Sequence, residues 1–370
     1  MRTKITEMFG IETPIFAFSH CRDVVVEVTN AGGIGVLGTT RLSPEQLEEE
    51  LRWIDNHTNG RPYALDLALP NKLDPVRPMK DRDIVLPREH VEFVEGILND
   101  AGISPLPPHE HEKFEASSPG YTLTSQGGME LIDVALKHPQ IKLVVSALGV
   151  APKDMIDLLH ARGVKVGALV GNVRHAVKQM QAGIDLLVAQ GMEAGAHSGN
   201  ITSMVLWPQI VEAVSPLPVL AAGGIGRGKQ MAAAMVLGAD GVWCGSIWLG
   251  TKESELSREM KERFFSARSE DAIQRRVFTG KQCRMLRSAF TDAWDAPGAP
   301  APLPMPQQGM LVAEARARIE RARKKEYMGY YVGQIVGDMK QETSARSVVY
   351  DMLLEFAEAT ERLAEQIRID

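Results

Sequence analysis

Cysteine is scarce in this chain of 370 residues. It has three, Cys21, Cys244 and Cys283. None stands in a C-x-x-C pair, and an odd number makes a poor disulfide framework, so a reducing cytoplasm is the expected setting. An excess of positive charge is also missing. Forty-one basic residues against 47 acidic ones leave a net charge of −6, the wrong sign for a surface that neutralises nucleic-acid phosphates. No run approaches ~18 uncharged apolar residues, the length of a membrane-spanning helix. The segment Met1-Arg2-Thr3-Lys4-Ile5-Thr6-Glu7 lacks the apolar centre of a signal peptide. Internal repeats and low-complexity tracts are absent. No Gly-x-Gly-x-x-Gly follows the first apolar run, which argues against a dinucleotide-binding open sheet.

What is present is a globular balance, 44% hydrophobic and 24% charged, in a chain long enough for one large α/β barrel with additions or for two ordinary domains. Short apolar runs alternate with amphipathic stretches. The runs occupy residues 14–19, 34–38, 63–69, 142–148, 164–170, 185–190, 219–222 and 241–246. Several are rich in Val, Ile and Leu, as strands buried on both faces must be. Helical patterns lie between them, at 151–162, 172–182, 229–237 and 253–267. Before another, Ser43-Pro44-Glu45-Gln46 supplies an N-cap, a Pro for the first turn and early acids. Eight strand–helix units predict an α/β fold of the (β/α)₈ TIM barrel type, with a doubly wound open sheet as the rival.

Two regions break the alternation. Residues 70–120 form an excursion after strand three, with a helix expected at 88–100 and a loop around Pro105-Leu106-Pro107-Pro108. The tail after Phe290 begins with a Pro-rich connector at 294–308 and continues into helices at 311–324 and 347–367. The expected division is a barrel over 1–290 and a helical C-terminal extension over 291–370. In the last helix Val348, Val349, Met352, Leu353, Phe356, Ala359 and Leu363 share one apolar face. Such a face packs on the barrel or on a second copy of the chain as a homodimer.

Barrel catalysts sit at the C-terminal ends of strands. The loop after strand six is Gly191-Met192-Glu193-Ala194-Gly195-Ala196-His197-Ser198-Gly199. Its glycines let the backbone approach a ligand closely, and His197 is the side chain best able to move a proton near neutral pH. Glycine turns also follow strands seven and eight, at Gly223-Gly224 and Gly245-Ser246. Their N–H groups suit a phosphate at the usual barrel position, although glycine turns also serve simply to close a barrel. His109-Glu110-His111 sits in the Pro-rich loop with no identifiable third ligand, so no metal site is expected. Cys244 reads as a small buried residue, and Arg284 and Arg287 as structural ion-pair partners.

The run Ala189-Gln190-Gly191-Met192-Glu193-Ala194-Gly195-Ala196-His197-Ser198-Gly199 resembles the signature of the nitronate monooxygenase family, FMN-dependent barrels related to flavin-dependent enoyl reductases. Thr29-Asn30-Ala31-Gly32-Gly33-Ile34-Gly35, Ala221-Ala222-Gly223-Gly224-Ile225 and Leu237-Gly238-Ala239-Asp240-Gly241-Val242 extend the likeness, as does Gly333-Gln334-Ile335-Val336-Gly337 less clearly. The resemblance implies FMN over the barrel mouth. Its phosphate would rest on Gly223, Gly224, Gly245 and Ser246. The rest of the cofactor would meet Phe18, Ser19, His20, Asp66, Gln190, Gly195 and Ala196. His197 matches the catalytic histidine, acting as base towards a neutral nitroalkane or orienting a nitronate, with O₂ completing the cycle. An FMN-dependent reductase of enoyl or acyl-CoA thioesters using NAD(P)H is the alternative. The implied partner is a small-molecule substrate. The chain also departs from the family pattern. Ala196 stands where the family often has Gly, and is expected to need a negative φ. Ala17-Phe18-Ser19-His20 replaces a Gln-Ala-Pro-Met-like stretch, with His20 either facing substrate or filling space. Asp66 aligns with an Asn, Leu169 with a Lys of some members, and Gly226-Arg227-Gly228 with Ala-Asp-Gly.

Overall fold

A computed structural model describes residues 1–40, 42–67, 85–116, 125–147 and 149–367. Eight parallel strands close into a barrel: β1 (Ile15–Ser19), β2 (Ile34–Gly38), β3 (Tyr63–Leu67), β4 (Ile141–Ser146), β5 (Lys165–Val170), β6 (Leu186–Gln190), β7 (Val219–Ala222) and β8 (Gly241–Cys244). Strand β1 pairs in parallel with both β2 and β8, Phe16 lying opposite Ile34 on one side and Trp243 on the other, so the open-sheet rival is discarded. The expected runs match these strands closely. Ala68, Leu69 and Leu148, which ended two of them, lie outside the described residues. The last run stops two residues early because Gly245 turns to ψ −61 and a 3₁₀ turn occupies Ser246–Gly250.

Helices precede and separate the strands. They are α1 (Lys4–Phe9), α2 (Arg22–Asn30), α3 (Pro44–His57), α4 (Arg88–Asp100), α5 (Pro108–Ala116), α6 (Ser125–Ala135), α7 (Lys153–Ala161), α8 (Val173–Gln181), α9 (Ser203–Val214) and α10 (Gly228–Val236). Local chemistry sets their ends. At α3 the Ser43 side chain accepts from Gln46 N while Gln46 reaches back to Ser43 N, with Pro44 inside the first turn. Along each strand alternate residues face opposite ways. Phe16, Val36, Ala64, Val145, Val188, Leu220 and Trp243 fill the barrel interior, while Ile15, Leu37, Leu65, Val144 and Leu187 pack under the helices. Helix α1, which the apolar pattern did not reveal, supplies Ile5 and Phe9 to the interior, Phe9 meeting Phe16 edge-on at 5.9 Å.

Beyond β8 the chain forms α11 (Arg258–Ser266), the antiparallel hairpin β9 (Ala272–Arg275) and β10 (Cys283–Leu286), α12 (Ala289–Ala293), α13 (Gln307–Arg321) and α14 (Ala345–Gln366). The helix expected at 253–267 begins only at Arg258, where Ser257 caps it. A second core gathers α4 of the excursion with α11, the hairpin and α13 through Leu98, Phe264, Met285, Val312 and Val332. Arg318, 3% exposed, fastens α13 to the excursion by bonds to Glu95 (2.7 Å), Ser104 O and Ile103 O. Residues 70–84 and 117–120 of the excursion lie outside the described residues. The Pro-rich loop is shorter than expected. Pro108 starts α5, so His109-Glu110-His111 is helical, and Glu110 pairs with Arg321 at 2.8 Å. Helix α14 returns to the barrel and lies on α10 and α2, burying Val348, Val349 and Met352. Its apolar face therefore packs on its own barrel, except at Leu363, which stays 41% exposed. Among the described residues no helix is long and apolar enough to cross a membrane.

Candidate active site

The loop after β6 is built around contacts that only glycine allows. A Cβ on Gly191 would lie 2.0 Å from Ser203 Oγ, and one on Gly195 would lie 2.9 Å from Gly333 N. Glu193 is structural. Its carboxylate accepts from Ser203 N (3.1 Å) and Ser203 Oγ (2.8 Å) at the start of α9, where negative charge meets the positive end of the helix dipole. Ala196 corrects the expectation of a negative φ. It sits at φ 59, in the left-handed region, and two backbone bonds hold it there: Ala196 N to Arg284 O at 2.9 Å and Arg284 N to Ala196 O at 2.8 Å. The next residue, His197, is exposed, and its Nδ1 lies 3.1 Å from Gln282 O. A carbonyl only accepts, so Nδ1 carries the proton and the lone pair of the neutral ring is at Nε2.

Arg284 is a second correction. Among the described residues it pairs with no carboxylate. Buried to 5% exposure, its guanidinium donates to Met192 O from Nε (3.1 Å) and from its terminal nitrogen (2.8 Å), and also to Ala272 O. It rivets the histidine loop to the β9–β10 hairpin. Arg287 does form the expected ion pair, with Asp292 at 2.9 Å. The sequence reading missed the hairpin and with it Gln282, because two strands of four residues each carry too little pattern to see.

At the ends of β7 and β8 the chain forms a rim of donors. Gly223 and Gly224 take φ 105 and 71, conformations that L side chains rarely adopt. Gln230 pins the turn, its Oε1 accepting from Gly226 N (2.9 Å) and Arg227 N (3.0 Å) and its Nε2 donating to Gly224 O (2.7 Å). Ser246 Oγ accepts from Gly333 N at 2.8 Å, and Gln334 N donates to Glu193 O at 2.9 Å. A Cβ on Gly224 would lie 3.2 Å from Glu193 Cβ. The β6 loop, the β7 turn, the β8 turn and Gly333-Gln334 thus converge. Among the described residues the N–H groups of Gly223, Gly224 and Ser246 find no acceptor. Partly exposed donors without partners, set beside backbone too close for side chains, fit a phosphate.

Strands β1 and β3 complete the mouth. Phe18 stacks on Trp243 at 6.2 Å, and a Cβ on Gly245 would lie 3.7 Å from the Phe18 ring. Ser19 Oγ accepts from Cys21 N at 3.0 Å and so turns towards the start of α2. His20 lies across Gly38. Its Nδ1 is 3.0 Å from Gly38 O, its ring meets Phe18 edge-on at 5.3 Å, and a Cβ on Gly38 would fall 2.7 Å from the ring. It therefore fills the space that Gly38 leaves while staying exposed at the mouth. Asp66 follows the inward parity of Ala64, opposite Gly38 in register. It is 3% exposed, and burial pushes its pKa up to about 7. Gln190 ends β6 with the inward parity of Leu186 and Val188. Cys244 is buried as expected, its thiol pushed up to about 12 by that burial.

A family model described as nitronate monooxygenase matches residues 2–355. The chain belongs to the nitronate monooxygenase family. Its members give this barrel its relatives. A Mycobacterium tuberculosis protein named "Putative monooxygenase Rv1533" is 46% identical, over 98% of each chain. The solved structure of a nitroalkane oxidase from Streptomyces ansochromogenes superposes with a TM-score of 0.75 at 26% identity, covering 97% of this chain and 99% of that one. FabK from Thermotoga maritima, at 23% identity and a TM-score of 0.74 over 99% and 100% of the two chains, shares the fold. As a nitronate monooxygenase family member the protein is an oxidoreductase, and the mouth just described is where such chemistry sits in a TIM barrel.

Proposed function

We propose that this protein is an FMN-dependent nitronate monooxygenase that oxidises a nitronate or small nitroalkane with O₂. The observation that carries the reading is the state of His197: Nδ1 donates to Gln282 O, which leaves Nε2 as an acceptor on an exposed ring, in the same β6 loop that meets the turns with unpartnered N–H groups. Family membership supports it, as do the names of the Mycobacterium and Streptomyces relatives.

FMN, when bound, supplies the electron transfer and the reaction with O₂. The chain supplies the rest. Gly223, Gly224, Gly245 and Ser246 would hold the phosphate through backbone N–H groups. Phe18, Ser19, His20, Asp66, Gln190, Gly195 and Ala196 would surround the remainder of the cofactor. Nε2 of His197 takes the proton from the carbon that bears the nitro group of a neutral nitroalkane. The imidazolium so formed keeps its Nδ1–H on Gln282 O, and its new charge holds the nitronate. Exposure of the ring lets the proton pass to solvent afterwards.

Anaerobic mixing tests the reading. The flavin-loaded protein is mixed with a propane nitronate and, separately, with NADPH. Loss of oxidised-flavin absorbance with the nitronate alone is expected. Loss with NADPH alone replaces this reading with an enoyl or acyl-CoA reductase. Protein that holds no flavin discards both.

A further inference from the structure

The turn after β7 is tied to the last helix of the chain. Glu355 of α14 accepts from Arg227 Nε at 2.7 Å, from a terminal nitrogen of the same guanidinium, and from Gly228 N at 2.9 Å. Gly228 opens α10 and has no room for a side chain, since a Cβ there would lie 1.9 Å from Met352 O. With Gln230 accepting from Gly226 N and Arg227 N, each N–H from 226 to 228 is occupied by protein. A helix N-terminus such as this one can itself meet a phosphate. Here Glu355 takes that place, and among the described residues the N–H groups of Gly223 and Gly224, further up the turn, find no acceptor. The carboxylate at this helix start does not stand alone, because the Arg227 guanidinium neutralises it.

We propose that Arg227 and Glu355 are positioning residues for the phosphate end of the cofactor: the pair clamps the β7 turn so that Gly223 and Gly224 aim their N–H groups at the phosphate. The inference rests on the flavin reading above. It makes α14 part of the binding site although it lies 127 residues beyond the turn.

FMN and riboflavin share the ring and differ in the phosphate, so the pair of ligands isolates the effect. Full-length flavin-free protein is titrated with each by flavin-fluorescence quenching. In the charge-balanced double variant Arg227→Gln/Glu355→Gln, FMN affinity falls on the order of tenfold or more, the loss of charge-assisted hydrogen bonds, while riboflavin affinity does not change. Arg227→Gln alone loses more FMN affinity than the double variant, because it leaves the Glu355 carboxylate uncompensated. Equal losses for both ligands, or no loss for either, overturn the proposal. If the double variant does not fold by circular dichroism, Glu355→Asp decides: its shorter reach loses FMN selectively if the clamp positions the turn, and treats both ligands alike if it does not. Wild-type protein that binds neither ligand overturns the flavin reading and this inference with it. Wild-type protein that binds both equally overturns this inference alone.

Discussion

Ala196 and Arg284 exchange both of their backbone hydrogen bonds, at 2.9 and 2.8 Å, and this one bridge fastens the histidine loop to the hairpin above it. It also holds Ala196 at φ 59, where an L residue is strained by about 1–2 kcal/mol. Ala196→Gly is therefore expected to raise unfolding free energy by about 1 kcal/mol in urea titration. Ala196→Val, β-branched in the same conformation, is expected to lower both stability and turnover by disturbing His197.

Arg284 holds the same loop through its side chain. Arg284→Met leaves Ala272 O buried without a donor, and Met192 O with only the long bond from Ser198 Oγ at 3.5 Å, and is expected to destabilise by about 2–4 kcal/mol. Because Met192 lies in the loop that carries His197, turnover should fall as well. Chemical denaturation and steady-state assay of the same preparation check both effects. An Arg284→Met protein as stable as wild type contradicts the assigned role.

Asp66 makes a pH prediction. Its folded pKa is about 7, raised by burial, while an unfolded Asp titrates near ~3.9. Between those values the folded chain holds a proton that the unfolded chain has released. The associated stability is full below pH ~4, declines by roughly 1.4 kcal/mol per pH unit as pH rises towards 7, and is then flat. Asp66→Asn removes this decline. Thermal unfolding of the flavin-free protein should show the variant gaining on wild type at pH 8 relative to pH 4, and equal differences at the two pH values contradict the assignment.

Gly224 tests the phosphate rim. At φ 71, Gly224→Ala adds strain of about 1–2 kcal/mol and crowds Glu193, whose Cβ would lie 3.2 Å away. FMN affinity is expected to fall about tenfold, as measured by fluorescence titration. Unchanged affinity places the phosphate elsewhere.

Much of this was legible in the chain, and the reasons are physical. The barrel strands show because each is a short apolar run buried on both sides, so Ile34–Gly38 and Val219–Ala222 stand out with sharp ends. Glycine turns show because backbone needs them, as at Gly223 and Gly224. The hairpin was invisible because Ala272–Arg275 is short and only partly buried, and α1 because six residues make less than two helical turns. Sequence shows the charge of Arg284 and so points to an ion pair, whereas its partners are carbonyls, which every residue carries. The φ of Ala196 was misjudged for a related reason: the bridge that pays for it comes from Arg284, 88 positions away in the numbering.

The most direct test of the account is His197→Asn assayed with a neutral nitroalkane and with its preformed nitronate, flavin content being measured in parallel. Flavin is expected to stay bound while turnover of the neutral nitroalkane falls by about 10²–10⁴-fold, the usual contribution of a general base, with a much smaller loss for the nitronate. Unimpaired turnover of the neutral nitroalkane by His197→Asn would contradict it.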